Sequence, residues 1–466
     1  MKASKSLKVV MVPWLAMGHL TPFLELSKSL AKNGLQVYFV TTPNNIARLP
    51  KLPPNLTSSI TLVSIPLPHL DGVPDQAESS MDVPSILQPL LKMRFDLLES
   101  PISAFLEEVQ PDWILYDFTS YWIPTMAAKM GVSCAYIALF NAASLSFIGP
   151  PSALLGNVRS SLDDYTVVPC WIPFESDIAY RPYEVVKFEH SVDARIATSD
   201  TVRFGNSIAG CDFVGIRTSP EFEPIWINLL EKLYGKIVLP IGFLFPDCNN
   251  DDNEDLNCDN WAFFKEWLDR HEPGSVLYVA FGSESSLTQE EVYELGFGLE
   301  HSGVPFVLIL QDPPGSDKNV IDMLPEGFVG RVAGRGLVHR GWAPQVKILR
   351  HQAIRGFLSH CGWNSVIEGL GLGRVLVLLP VMNDQGLVAR LLVGQGLGVE
   401  IERGEKDGAL RSESVIKAVR LAMVEKEGEE VRIKCRNMTS VFGDNKLNDG
   451  YIEAFVSYLE ENKKSK

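Results

Sequence analysis

The stretch 342–385 constrains the fold most. It holds two short, largely apolar runs, 354–358 and 375–379, separated by a polar turn and a segment of helical spacing. Runs of about five residues are strand-sized. Two strands joined through a helix make a β-α-β unit, in which the strands lie parallel. The turn reads His360-Cys361-Gly362-Trp363-Asn364-Ser365, Glu368 follows on the helix, and the second run stops at Pro380 and delivers Asp384-Gln385. Polar residues therefore gather at the strand ends, where open α/β sheets bind ligands.

The same alternation runs through the chain. Residues 8–13 read as a buried strand, 20–32 as an amphipathic helix stopped by Gly34, and 37–41 as the next strand. Strands at 60–65, 113–116, 133–139, 212–217 and 236–240 continue the pattern, with helices at 83–107 and 122–130. Residues 148–200 are irregular and rich in Pro, Tyr and Phe, which suits a lid or pocket wall. The polar, acidic run from Pro246 to Asp255 cannot form a core and reads as an interdomain linker, 246–258. Beyond it come strands at 275–281, 306–310 and 337–339 and helices at 263–269, 289–302, 413–425 and 449–461. The reading is two α/β halves, 1–245 and 259–448, facing each other across a cleft, with a C-terminal helix in 449–466. Such clefts are preferred ligand sites.

The formal charge of −15 argues against a nucleic-acid partner, so an anionic ligand needs a local site. No run reaches about 18 apolar residues, and the first apolar run is too short for a signal segment, so the expectation is a cytoplasmic protein without an integral membrane segment. The seven cysteines are scattered and form no CxxC pair, which speaks against zinc and against a disulfide framework.

Several residues stand where chemistry is expected. His19 lies just past the first strand, where a neutral imidazole can take a proton from a hydroxyl. Asp117 follows another strand and can fix that ring's tautomer. Taken singly, the first is an ordinary helix-start histidine and the second an ordinary N-cap; the pair says more. Gly282-Ser283 resembles a phosphate-approach turn. Trp342 offers a flat face for a nucleobase, with Gln345 beside it. At 360–365 backbone N–H groups, Asn364 and Ser365 converge on a helix N-terminus that favours a diphosphate. Glu368 can accept from two ribose hydroxyls, and Asp384 and Gln385 suit the hydroxyls of a sugar.

This stretch resembles the signature box of plant family 1 UDP-dependent glycosyltransferases, in its 44 residues, its tryptophan start and glutamine end, and its HCGWNS string. PWLAMGHLTPFLELSKSLAKNG, the Asp117 region, YVAFGSE and LPEGF extend the resemblance over essentially the whole chain. PWLAMGHL, DFTSYW and FNAAS look most like the subgroup with sugar-on-sugar and terpenoid or xenobiotic transferases. The resemblance implies the GT-B fold, two Rossmann-like domains with the acceptor on the first and the UDP-sugar on the second, and a last helix that crosses back. It implies His19 as general base and Asp117 as its orienting acid. Ser283, His360, Gly362, Asn364 and Ser365 would hold the diphosphate. Trp342, Ala343 and Gln345 would hold uracil and its surroundings, and Glu368 the ribose. Trp363, Asp384 and Gln385 would bind the sugar, and Trp14, Phe118, Phe140 and Asn141 would line the acceptor side.

The chain departs from the pattern at Gly386, Val388, Gly373-Arg374-Val375 and Asn141. These positions bear on the sugar: Asp384-Gln385 favours UDP-glucose as the donor, and the departure at Asn141, with the rhamnosyl transferases among related sequences, makes UDP-rhamnose the alternative. The implied reaction inverts the anomeric centre and needs neither metal nor cofactor, with a small lipophilic metabolite or its glycoside as acceptor. The protein is expected to be a monomer. The competing reading, a catalytically silent UDP-sugar-binding protein, has no use for a His19–Asp117 pair.

Overall fold

The computed structural model describes residues 6–189, 198–246, 260–285, 287–312 and 319–464. Two parallel sheets organise the chain. The first contains β1 (Lys8–Val12), β2 (Gln36–Thr41), β3 (Ile60–Ser64), β4 (Trp113–Tyr116), β5 (Ser133–Ala138), β6 (Phe213–Ile216) and β7 (Val238–Pro240), in the order β3-β2-β1-β4-β5-β6-β7. The second contains β8 (Val276–Ala280), β9 (Phe306–Leu310), β10 (Gly336–Arg340), β11 (Ile354–Ser359), β12 (Val375–Leu378) and β13 (Val399–Glu400), in the order β10-β9-β8-β11-β12-β13. Every residue of β4, β5, β6, β8, β9 and β12 is buried, because helices cover both faces of a parallel sheet. That is why these strands read as continuous apolar runs rather than alternating ones.

Each sheet reverses its winding once. From β1 the chain moves outward through β2 and β3, then returns to place β4 on the other side of β1. From β8 it moves through β9 and β10, then returns to place β11 beside β8. The loops leaving the two strands diverge at such a switch point and open a crevice. His19 and Asp117 follow β1 and β4; Gly282-Ser283 and His360 follow β8 and β11. All four predicted polar sites therefore stand at the switch points.

The helix Asn445–Asn462 returns to the first sheet. Its Ile452, Phe455, Val456 and Leu459 are buried in one core with Val9, Met11 and Phe213. The Leu459 carbonyl accepts from Trp113 Nε1 at 2.9 Å. Ion pairs also join the halves, Arg181 to Glu400 at 2.6 Å and Arg390 to Glu184 at 2.5 Å.

Some elements differ from expectation. The single helix expected over 83–107 is two, Gln88–Asp96 and Glu99–Val109. Pro84 and Pro89 delay the first, and the Pro101 ring would clash with the carbonyl four residues back, at Leu97, where the break falls. The first long helix begins at Met17, so His19 lies in its first turn. Irregular 148–200 contains short helices, Pro151–Leu155 and Pro182–Glu189, among its described residues. Of the expected linker, 247–258 lies outside the described residues. Among the described residues no helix is long and apolar enough to cross a membrane, and no group of three or more His, Cys, Asp or Glu could hold a metal ion.

Candidate active site

A cavity of about 500 Å³ lies between the C-terminal edges of the two sheets. On the side of the first sheet, His19 forms the wall and Asp117 stands behind it, fully buried. His19 Nδ1 lies 2.5 Å from Asp117 Oδ2. The carboxylate is held in turn by the Phe118 N–H, which donates to Oδ1 at 2.7 Å, and by the Trp14 N–H at 3.4 Å from Oδ2. Burial works to lower the proton affinity of His19, but the charge and hydrogen bond of Asp117 outweigh it, with help from Glu284 and Asp384, and the imidazole ends above its ordinary value. With Nδ1–H on Asp117, Nε2 is the nitrogen left to accept a proton.

The facing wall comes from the second sheet. The helix Trp363–Gly371 points its N-terminus at the cavity and has no side-chain cap, so its first N–H groups are available to an anion. His360 packs where the chain allows no larger neighbours: a Cβ on Gly282 would lie 2.8 Å, and one on Gly362 2.4 Å, from its ring. Burial pushes His360 down to about 4, which keeps it neutral. Glu368 is raised by burial, against the Gln345 amide that donates to it at 2.7 Å and the charge of Arg217. Asp384 is pushed up to about 6 by burial, which the backbone hydrogen bond and His19 only partly offset. Among the described residues five non-glycine residues have positive φ; Leu244 and Asn383 line this cavity, and Cys361 stands between its lining residues His360 and Gly362. Such backbone costs free energy and concentrates at functional sites.

The two walls touch next to His19. Pro22 lies inside the helix Met17–Lys32 and has no N–H, so the Gly18 carbonyl lacks its helical donor. Asn364 Nδ2 donates to that carbonyl at 3.0 Å. Arg217, just past β6, donates to the Asn364 side-chain oxygen and to the Phe243 carbonyl. Burial brings Arg217 down to about 9 despite Glu368 and Glu25.

Ser283, Trp342, Ala343, Gln345, His360, Gly362, Trp363, Asn364, Ser365, Glu368, Asp384 and Gln385 all line the cavity, as does Phe140. Trp342 is 44% exposed, so its face is accessible. Two expected sugar contacts have prior commitments. The Trp363 indole N–H donates to the Arg217 carbonyl at 2.8 Å and its ring packs against Phe222, Phe243 and Phe442. Gln385 Oε1 accepts from the Val381 and Met382 N–H groups at 3.0 Å.

Three expected acceptor residues do not line the cavity. Trp14 is core, edge-on to Phe95; only its backbone serves the site. Phe118 stacks on Phe204 at 4.4 Å, with its ring centre 6.0 Å from that of His19. Asn141 is fully buried and caps the helix Ala142–Ile148 through Ser144 N–H at 2.7 Å. Sequence reasoning missed Arg217, although it ends a strand as Asp117 does, and Glu284, which follows Gly282-Ser283 and accepts from Ser80 Oγ at 2.7 Å across the cleft.

Comparison with known proteins agrees. Residues 5–151 match the family model described as glycosyltransferase, N-terminal domain, and residues 227–433 that described as UDP-glucoronosyl and UDP-glucosyl transferase. UDP-glycosyltransferase 91C1 of Arabidopsis thaliana is 50% identical over 98% of this chain and 97% of its own length. Soyasaponin III rhamnosyltransferase of Glycine max is 39% identical over 98% and 96%. The structure of Phytolacca americana UGT2 with UDP-2fluoro-glucose and pterostilbene superposes with a TM-score of 0.76 at 24% identity, covering 98% of this chain and 100% of that one, and shows the same GT-B fold. The chain belongs to the plant family 1 UDP-glycosyltransferases, which are inverting, metal-independent transferases.

Proposed function

We propose that this enzyme moves glucose from UDP-glucose to a hydroxyl of a small lipophilic plant metabolite, or of that metabolite's glycoside. The observation that carries the reading is the buried His19–Asp117 pair on the wall opposite an uncapped helix N-terminus, joined to it through Asn364 and the Gly18 carbonyl. His19 Nε2 takes the acceptor's proton as its oxygen attacks the anomeric carbon. The bond from that carbon to the diphosphate oxygen breaks on the opposite face, and UDP leaves with the electron pair. The imidazolium is stabilised by Asp117. The departing charge meets the N–H groups of the helix Trp363–Gly371 and the hydroxyls of Ser283 and Ser365. Trp342 stacks on the base, Glu368 receives the ribose hydroxyls, and Asp384 accepts from the sugar.

UDP-rhamnose is the second reading. It is favoured by the rhamnosyltransferase relative and by Gln385, whose oxygen is occupied and whose share in reading a glucose hydroxyl is thereby reduced. The enzyme is taken to work as a cytoplasmic monomer, with no resident cofactor. A donor panel of UDP-glucose and UDP-rhamnose against flavonoids, terpenoids and their glycosides, read by mass spectrometry, tests the substrates. His19→Ala in the same assay is expected to lose about 10²–10⁴ in rate; near-normal turnover by a folded variant would sink the assignment.

A further inference from the structure

A second cavity, of about 160 Å³, lies within the first half of the chain. Phe147, Tyr165, Trp171, Tyr180 and Phe204 line it together with one cation, Arg159. The Arg159 guanidinium carbon lies 4.3, 4.9 and 4.8 Å from the ring centres of Phe147, Tyr165 and Trp171. These rings cover the guanidinium but accept nothing in its plane. Both terminal nitrogens are buried, and neither has a hydrogen-bond partner among the described residues.

Two buried arginines in this half, Arg94 and Arg203, are used differently. Arg94 gives its N–H groups to the carbonyls of Leu67, Pro68, Pro74, Asp75 and Ala77. Arg203 forks onto Asp96 at 2.6 and 2.7 Å. These donors have acceptors within the fold. Buried N–H groups without acceptors are costly, and native structures seldom keep them without a reason. The carboxylates here have other hydrogen-bond partners: Asp164, whose charge Arg159 feels, accepts from the Ser160 and Ser161 N–H groups, and Asp200, which lines the cavity itself, is neutralised by Lys92 at 2.6 Å.

The cavity lies near the base. Phe204 forms its wall and meets Phe140 with ring centres 5.5 Å apart; the Phe140 ring is 6.0 Å from that of His19. The cavity wall and the imidazole are thus joined by successive ring contacts through Phe204 and Phe140.

We propose that this cavity is an acceptor subsite for a carboxylate, so that the enzyme takes apolar acceptors with a hydroxyl at one end and an acid group at the other. The inference rests on the transferase reading, with the hydroxyl at His19. A planar carboxylate matches the two free N–H groups side by side, and the rings receive the apolar body. Burial works against the guanidinium's charge, an effect an incoming anion reverses.

The test uses the full chain saturated with UDP. The probes are 4′-hydroxybiphenyl-4-carboxylate and its methyl ester, and binding is measured by calorimetry. The wild type is expected to bind the acid at least about tenfold more tightly than the ester. Arg159→Met keeps the packing against the rings; it is expected to weaken the acid about tenfold or more and the ester no more than about twofold, with Arg159→Lys between. A wild type without preference for the acid, or an Arg159→Met variant that keeps it, overturns the subsite. Glucose transfer to the ester from UDP-glucose is followed separately. No product alongside an intact preference for the acid would remove the donor and acceptor reading and leave the carboxylate site standing.

Discussion

Replacing Asp117 by asparagine tests the catalytic geometry more sharply than removing it. Asp117 Oδ1 accepts the Phe118 N–H at 2.7 Å, and Oδ2 faces His19 Nδ1 at 2.5 Å. An asparagine has one acceptor oxygen for these two places. The Phe118 N–H belongs to the backbone and cannot turn away, so it keeps the amide oxygen and turns the NH2 toward His19. Nδ1 must then accept, Nε2 carries the proton, and the base has no lone pair facing the cavity. General-base catalysis contributes about 10²–10⁴, and a wrong tautomer forfeits it. The expected loss in kcat/KM is about 10³–10⁴, or about 4–5.5 kcal/mol at roughly 1.36 kcal/mol per decade.

The pH profile gives an independent readout. Burial lowers the His19 pKa, and Asp117 with Glu284 and Asp384 raises it further than burial lowers it. A base must be neutral to act, so the wild-type rate falls as pH drops through this raised value. In the variant burial stays while the largest raising influence goes, so the acid limb moves to lower pH. Initial rates of UDP release from about pH 5 to 9, with circular dichroism to confirm folding, measure both effects. A variant within tenfold of the wild type, or an unmoved acid limb, refutes the reasoning.

Two other substitutions probe one wall each. Trp342→Ala removes an accessible stacking face, and base–aromatic stacking is worth about 1–3 kcal/mol; KM for the UDP-sugar should rise about tenfold or more while kcat changes little. Pro22→Ala restores a helical N–H to the Gly18 carbonyl, in competition with Asn364 Nδ2. The unfolding free energy should rise by about 1–3 kcal/mol, while kcat/KM falls about tenfold as the cross-cleft bond weakens; a more stable variant with unchanged kcat/KM would show that the contact has no catalytic consequence.

The sequence alone determined the strands and most residues of the cavity wall built on the second sheet, because these are written in short range. A buried parallel strand is an apolar run, a turn needs glycine, and the residues that meet an anion at a helix N-terminus are neighbours in the chain. It also placed His19 and Asp117 at strand ends, from which the switch-point topology brings them together. Tertiary structure decided which of these side chains are free to act. Asn364 bonds to the Gly18 carbonyl 346 residues away, and the Trp363 indole is held by the Arg217 carbonyl 146 residues away. Trp14, Phe118 and Asn141 have the right chemistry and the right position in sequence, yet the fold uses them as core, stack and cap. Arg159 lies in a segment whose sequence shows no regular pattern, and only the folded chain closes three aromatic rings around it. Periodicity reports which face of an element is buried; which buried polar groups find partners depends on residues far away in the chain, and that is settled only when the sheets pack.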